Sequence, residues 1–261
     1  MIDMIINLLV AHFVGDFYLQ NERMCNNKIK KNFRGWGMIV HALLIGLISY
    51  FAIMNWAAYW IILSLMLSHF VIDCIKSKVQ VKYKLVVVDD KSGDVKEGEN
   101  AKYNLRLFVV DQIIHICIII GLVYYWFYIG NDWSQVEWAT DLYQQHPLWT
   151  KTALAMILVI KPANTLVLFI LSACKVNVLS DNNDDHGNFH SGALIGYSER
   201  AIILLFVILS QYGAIGFLLT AKSILRYNQA ISESEKSEYV LAGSLVSLVI
   251  AVFLGIIVTK L

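Results

Sequence analysis

The sequence has little of what a water-soluble chain needs: 16% of its residues are charged and 57% are hydrophobic, where a globular domain carries about a quarter charged and about half apolar. It is also poor in proline, with two in 261 residues, so long helices can run unbroken. A net charge of +1 leaves no electrostatic footprint for nucleic acid, and no such partner is expected. The four cysteines, Cys25, Cys74, Cys117 and Cys174, form no C-x-x-C pair. Three of them lie at or near the side assigned below to the cytoplasm, so no disulfide is expected. No P-loop, G-x-S-x-G or dinucleotide fingerprint occurs, which removes those nucleotide and serine-hydrolase readings. The start, Met1-Ile2-Asp3, has neither a basic n-region nor a small-residue cleavage site, so the first apolar run is expected to be retained.

What is present is a series of long apolar runs. A helix needs roughly 20 such residues to cross about 30 Å of hydrocarbon, and spans are expected at 2–20, 36–54, 57–76, 104–128, 152–173, 193–211 and 239–260. A shorter run, 213–228, reads as one arm of a hairpin turning near Tyr212-Gly213 or as an interfacial helix, because Lys222 and Arg226 share a face. Barrel strands would alternate in polarity; these runs do not. The expected fold is all-α, a polytopic transmembrane helical bundle of about 7–8 membrane segments. A small cytoplasmic loop or hairpin is expected at 79–103, where Val79 to Val88 alternates in part and Lys91-Ser92-Gly93-Asp94 supplies a turn. Two parts follow: a four-helix membrane unit over 1–128 and C-terminal membrane helices over 150–261.

Lysine and arginine set the orientation. The connection 21–35 carries Arg23, Lys28, Lys30, Lys31 and Arg34, and 76–106 carries eight more, from Lys76 to Arg106. The connection near Asn55 has none, and 129–150 has none. The expectation is a bacterial inner membrane protein with basic loops in the cytoplasm and the N-terminus outside. Trp36, Trp56, Trp133 and Trp149 fall at proposed span ends, where an aromatic belt places them.

Against that apolar background stand ionisable residues that a membrane helix normally excludes. The first span holds His12 and Asp16, the second His41, the third His69 and Asp73, and the fourth Asp111 and His115. Each His–Asp pair is spaced i,i+4, on one helix face. The order reverses in the fourth span, which runs the opposite way to the first and third. All three aspartates therefore lie nearer the cytoplasm, with the histidines about one turn (roughly 5–6 Å) deeper. Imidazole and carboxylate suit zinc first, with iron(II) or manganese also served, and facing helices that project such groups are a known way to build a bundle metal site. Three histidines with one or two aspartates would bind one ion, the other aspartates orienting imidazoles; all seven could hold two. A helix-locking polar network and a metal-free proton relay are the alternatives. Lys76 and Arg106, at the mouth, are candidate phosphate contacts.

The stretches Ala11-His12-Phe13-Val14-Gly15-Asp16-Phe17-Tyr18-Leu19-Gln20, Ser68-His69-Phe70-Val71-Ile72-Asp73 and Asp111-Gln112-Ile113-Ile114-His115 resemble the bacterial integral-membrane family called domain of unknown function 3307. The later stretches Lys161-Pro162-Ala163-Asn164, Ile195-Gly196-Tyr197-Ser198-Glu199-Arg200, Ala214-Ile215-Gly216-Phe217, Ala221-Lys222-Ser223-Ile224-Leu225-Arg226 and Glu238-Tyr239 resemble the continuation in longer members. The resemblance implies a bacterial membrane setting and no activity.

In the fifth span Pro162 predicts a kink. Lys161 would be a buried ammonium with Glu199 as its partner, and Asn164 and Arg200 complete a structural polar group. The stretch 181–190 is rich in Asp and Asn, but its glycine is one place late for a calcium loop and no Glu closes it; a solvated loop is expected. Three functions remain in play. One is a metal-dependent hydrolase acting on a lipid or membrane-anchored substrate. The second is a metal-ion or proton-coupled transporter, which the apolar outer halves of the first four spans disfavour. The third is a structural or sensory membrane protein.

Overall fold

The computed structural model describes residues 1–55, 58–88, 95–97, 100–130, 149–174, 186–232 and 234–260, and within them the chain is predominantly helical. Helix α1 (Ile2–Val14) passes directly into a π-helical turn (Gly15–Leu19). Then come α2 (Glu22–Lys31), α3 (Trp36–Ile53), α4 (Tyr59–Lys82), the short strands β1 (Val86–Val88) and β2 (Val95–Glu97), and α5 (Ala101–Tyr128). The rest comprises α6 (Trp149–Ala173), α7 (His186–Ile208), α8 (Tyr212–Ser232) and α9 (Ser234–Lys260). Among the described residues, six helical segments are long and apolar enough to cross a membrane: Ile2–Leu19, α3, α4, α5, α6 and Leu241–Lys260. Their outward faces present Leu43, Leu47, Leu63, Leu67 and Ile113, each about half exposed or more, as lipid-facing helix surfaces should be. The segment 193–211 is not among the six; α7 carries Glu199 and Arg200 in its middle.

The chain forms two compact units, Met1–Leu154 and Ala155–Leu261. In the first, α1 packs on α3 and α5, and α4 packs on the same two, closing a four-helix ring. One end of that ring is filled by Met4, Leu8, Ile53, Ile61, Leu65, Ile119, Val123 and Trp126. The seven His and Asp residues come from the end of α1 and its π-helical turn (His12, Asp16), the first half of α3 (His41) and the middle parts of α4 (His69, Asp73) and α5 (Asp111, His115).

The connection 21–35, read from sequence only as a basic loop, is the helix α2, too short to span and laid across α3 and α4. Asn21 caps it by accepting from Met24 N at 2.9 Å. Asn27 Oδ1 accepts from Gly37 N at 2.9 Å, and Asn32 Nδ2 donates to Cys74 O at 3.0 Å. A Cβ at Gly37 would stand 2.6 Å from Met24 O, so glycine is what lets α2 lie so close to α3. The buried face of α2 is Met24 and Lys28, spaced i,i+4, while Arg23, Lys30, Lys31 and Arg34 are exposed.

The expected hairpin is shorter than the alternation suggested. Helix α4 runs to Lys82, so residues 79–82 are helical, and only Val86–Val88 pairs antiparallel with Val95–Glu97, in the register Val86↔Glu97. The proposed turn, 91–94, lies outside the described residues.

In the second unit, α9 packs on α7 and α8 around Ala155, Val159, Ile203, Leu204, Val207 and Ala251. The hairpin expected near Tyr212-Gly213 turns slightly earlier, between Ile208 and Tyr212, where Ser210 takes φ 57°. Residues 186–190, expected in a loop, open α7, and 181–185 lie outside the described residues. Lys161 is exposed, and the buried cation is Arg200 instead. Arg200 Nε donates to Val159 O at 2.7 Å and Nη1 to Ser247 Oγ at 2.7 Å. Its Nη2 donates to Asn164 Oδ1 at 3.2 Å and Ile160 O at 3.3 Å. Glu199 pairs with Lys222. The exchange has a physical reason. Pro162 interrupts the backbone ladder of α6, and a planar guanidinium with five donors reaches several of the surrounding acceptors, as one ammonium could not.

Candidate metal centre

Each of the seven expected residues reaches the polar end of the ring from its own helix, and the structure brings them together. His12, His41, His69, Asp73, Asp111 and His115 are all buried, and Asp16 is a tenth exposed at its side chain. The imidazoles form a chain: ring centroids are 4.9 Å apart for His12–His115, 4.4 Å for His115–His69 and 4.9 Å for His69–His41. Asp16 enters from the π-helical turn, whose extra residue per turn re-aims the side chain, a device common at functional sites. Gly15 starts that turn where a Cβ would meet Ile45 Cδ1 at 2.1 Å.

Four ligand atoms stand out. His41 Nε2 and His69 Nε2 are 2.9 Å apart. Asp16 Oδ1 is 3.2 Å from the first and 3.3 Å from the second. Asp73 Oδ2 is 3.6 Å from both. Zinc with ligands at about 2.0–2.1 Å in a tetrahedron requires edges of about 3.3–3.4 Å, in the middle of the range of these five separations; Asp16 groups with His12 and His69 as potential ligands, and Asp73 with His41 and His69. Asp16 Oδ1 lies 3.2 Å and 3.3 Å from the two imidazole nitrogens, within reach of their hydrogen bonds as well as of a shared cation. The set fits a cation with nitrogen and oxygen ligands.

Beside this set, His115 Nδ1 donates to Asp111 O at 2.8 Å. That fixes the neutral tautomer with Nε2 as a bare acceptor, and Nε2 is buried without a hydrogen-bond partner, as is Asp111 Oδ1. Gln112 Nε2 donates to Asp111 Oδ2 at 3.0 Å and to Asp16 Oδ2 at 3.5 Å, so its Oε1 is left to accept from His12 Nε2 at 3.4 Å. Two lysines complete the charge balance. Lys76 Nζ is 2.6 Å from Asp111 Oδ2, inside the cluster more than at its mouth, while Lys28 pairs with Asp73 Oδ2. Arg106 is exposed beside the Tyr103 ring, away from these contacts.

Sequence reasoning missed Lys28 and Gln112. The only available signal for Lys28 was its i,i+4 spacing from Met24, and for Gln112 its place beside Asp111. Lys28 engages the same Asp73 oxygen that faces both imidazoles, so a cation must compete with it. Replacing Lys28 by methionine is expected to tighten zinc binding by roughly tenfold, within the usual range of coupling energies, and to destabilise the metal-free protein by leaving Asp73 unpaired. Zinc titration with thermal unfolding in detergent checks both; weaker binding would mean that Lys28 supports the ligand set.

Fold and site together define a class: a polytopic helical membrane bundle with a buried His/Asp centre at one end of its first unit. Residues 4–145 match the family described as protein of unknown function (DUF3307), and the chain belongs to that family. The match contains all seven residues. No curated protein and no solved structure matches the chain.

Proposed function

We propose that the first unit is an intramembrane metal centre that hydrolyses a lipid or a membrane-anchored substrate at the cytoplasmic face of a bacterial inner membrane. The observation that carries this reading is the 2.9–3.6 Å spacing of His41 and His69 from each other and from Asp16 and Asp73. Zinc is the preferred ion, with iron(II) or manganese served by the same donors. A bound divalent ion lowers the pKa of its water to about 7 and polarises a carbonyl or phosphoryl oxygen.

The chain's own residues supply the rest. Carboxylates within the cluster accept the proton of the attacking water. The side chains of Asp16, 10% exposed, and Lys76, 26% exposed, mark the side by which substrate enters. The basic exposed face of α2 favours anionic headgroups. Transport is the weaker reading, because the opposite end of the four-helix ring is filled by the apolar cluster around Leu8, Ile61 and Val123. Among the described residues of this unit, the buried side chains beyond the site are apolar apart from the neutral Asn7, Ser49 and Asn55.

The test is reconstitution into vesicles bearing a panel of phospholipids, lipid-linked phosphates and acylated peptides. Metal-dependent release of a product, stopped by chelation and restored by zinc, is the expected result. No turnover across that panel by metal-loaded protein would count against hydrolysis.

A further inference from the structure

We propose that the centre holds a second divalent transition-metal cation, carried by Asp111 and His115, with Asp73 as the carboxylate shared between the two ions. This rests on the metal reading of the first four residues and extends it. Asp73 stands in two sets of potential ligands: one with His41 and His69, the other with Asp111 and His115, the ligand atoms of each set lying within 4.8 Å of one another. A carboxylate has two oxygens, and metal pairs about 3.5–4 Å apart are a recurrent hydrolytic arrangement.

Two acceptors mark the second position independently of the first. Asp111 Oδ1 and His115 Nε2 are both buried and lack hydrogen-bond partners. The bond from His115 Nδ1 to Asp111 O leaves Nε2 as the lone-pair nitrogen. A ligating histidine held through its other ring nitrogen by a backbone carbonyl is the usual support for metal binding. The ring also lines a small cavity with His12, Ser68 and His69, whose remaining walls are mainly apolar.

Lys76 now occupies Asp111 Oδ2, the other oxygen of that carboxylate. Its side chain is 26% exposed, so the ammonium can turn outward as a cation arrives. Lys28 is far more buried, at 8%, so it leaves Asp73 less readily than Lys76 leaves Asp111.

The test is metal counting on the full chain in detergent, desalted after incubation with excess zinc. Wild type is expected to retain two equivalents, and Asp111→Asn and His115→Gln one each. Wild type holding one equivalent, unchanged in both variants, would overturn the second site and leave the first standing. Wild type holding none would remove both. Manganese-loaded wild type gives a check that needs no variant. A spin-coupled electron paramagnetic resonance spectrum is expected, and the six-line signal of isolated ions at full loading would contradict the pair.

Discussion

Replacing His69 by alanine is expected to abolish metal binding at the first position, with affinity falling by more than about 100-fold, beyond the usual loss for a supporting residue. His69 is the most connected member of the cluster. Its Nε2 faces His41 Nε2 at 2.9 Å, Asp16 Oδ1 at 3.3 Å and Asp73 Oδ2 at 3.6 Å. Its ring also touches those of His12 and His115. Alanine removes one ligand and leaves Asp16 and Asp73 facing a void. Glutamine at the same position separates the competing accounts, since it keeps volume and an amide for hydrogen bonding but is a poor ligand. If the cluster only locks helices together, His69→Gln keeps its thermal stability and zinc adds nothing to either protein. On the metal account, zinc raises the melting temperature of wild type by clearly more than that of His69→Gln, which keeps only the position at Asp73, Asp111 and His115.

Arg200→Ala is expected to destabilise the second unit by about 2–4 kcal/mol, through a buried cavity and stranded acceptors. One planar group donates four hydrogen bonds, to Val159 O, Ile160 O, Asn164 Oδ1 and Ser247 Oγ on α6 and α9. Arg200→Lys is expected to recover little of the loss, because a single ammonium cannot span acceptors on two helices. Denaturant unfolding in detergent, followed with zinc content, checks both expectations. Falling stability with unchanged zinc is the expected pattern. Wild-type stability in Arg200→Ala would show that the four acceptors find other donors and that Arg200 is not the tie between the helices.

How much of this was legible in the sequence can be judged residue by residue. His12/Asp16, His69/Asp73 and Asp111/His115 could be placed at one end of the bundle because helix periodicity and alternating direction convert spacing into depth. His41 needed only its distance from the start of its span. The α2 helix was hidden, because half of its ten residues are charged and a lysine, Lys28, stands on the buried face where an apolar residue is expected. Its lysines counted only toward orientation, so Lys28 was not linked to Asp73, 45 positions away. Lys161 and Glu199 failed as a pair for a related reason. Sequence shows which charges are present, whereas three-dimensional packing selected Lys222 for Glu199 and turned Arg200 toward the proline-containing helix α6. The membrane character was readable throughout, since it depends on composition over whole helices and not on any single contact.

The most direct test of the central claim is X-ray absorption at the zinc edge of zinc-loaded, desalted protein. The expected spectrum has a first shell of nitrogen and oxygen only, at about 2.0–2.1 Å, with outer-shell scattering from at least two imidazoles. Protein that retains no zinc, or zinc whose spectrum lacks imidazole scattering, would contradict a centre built from Asp16, His41, His69 and Asp73.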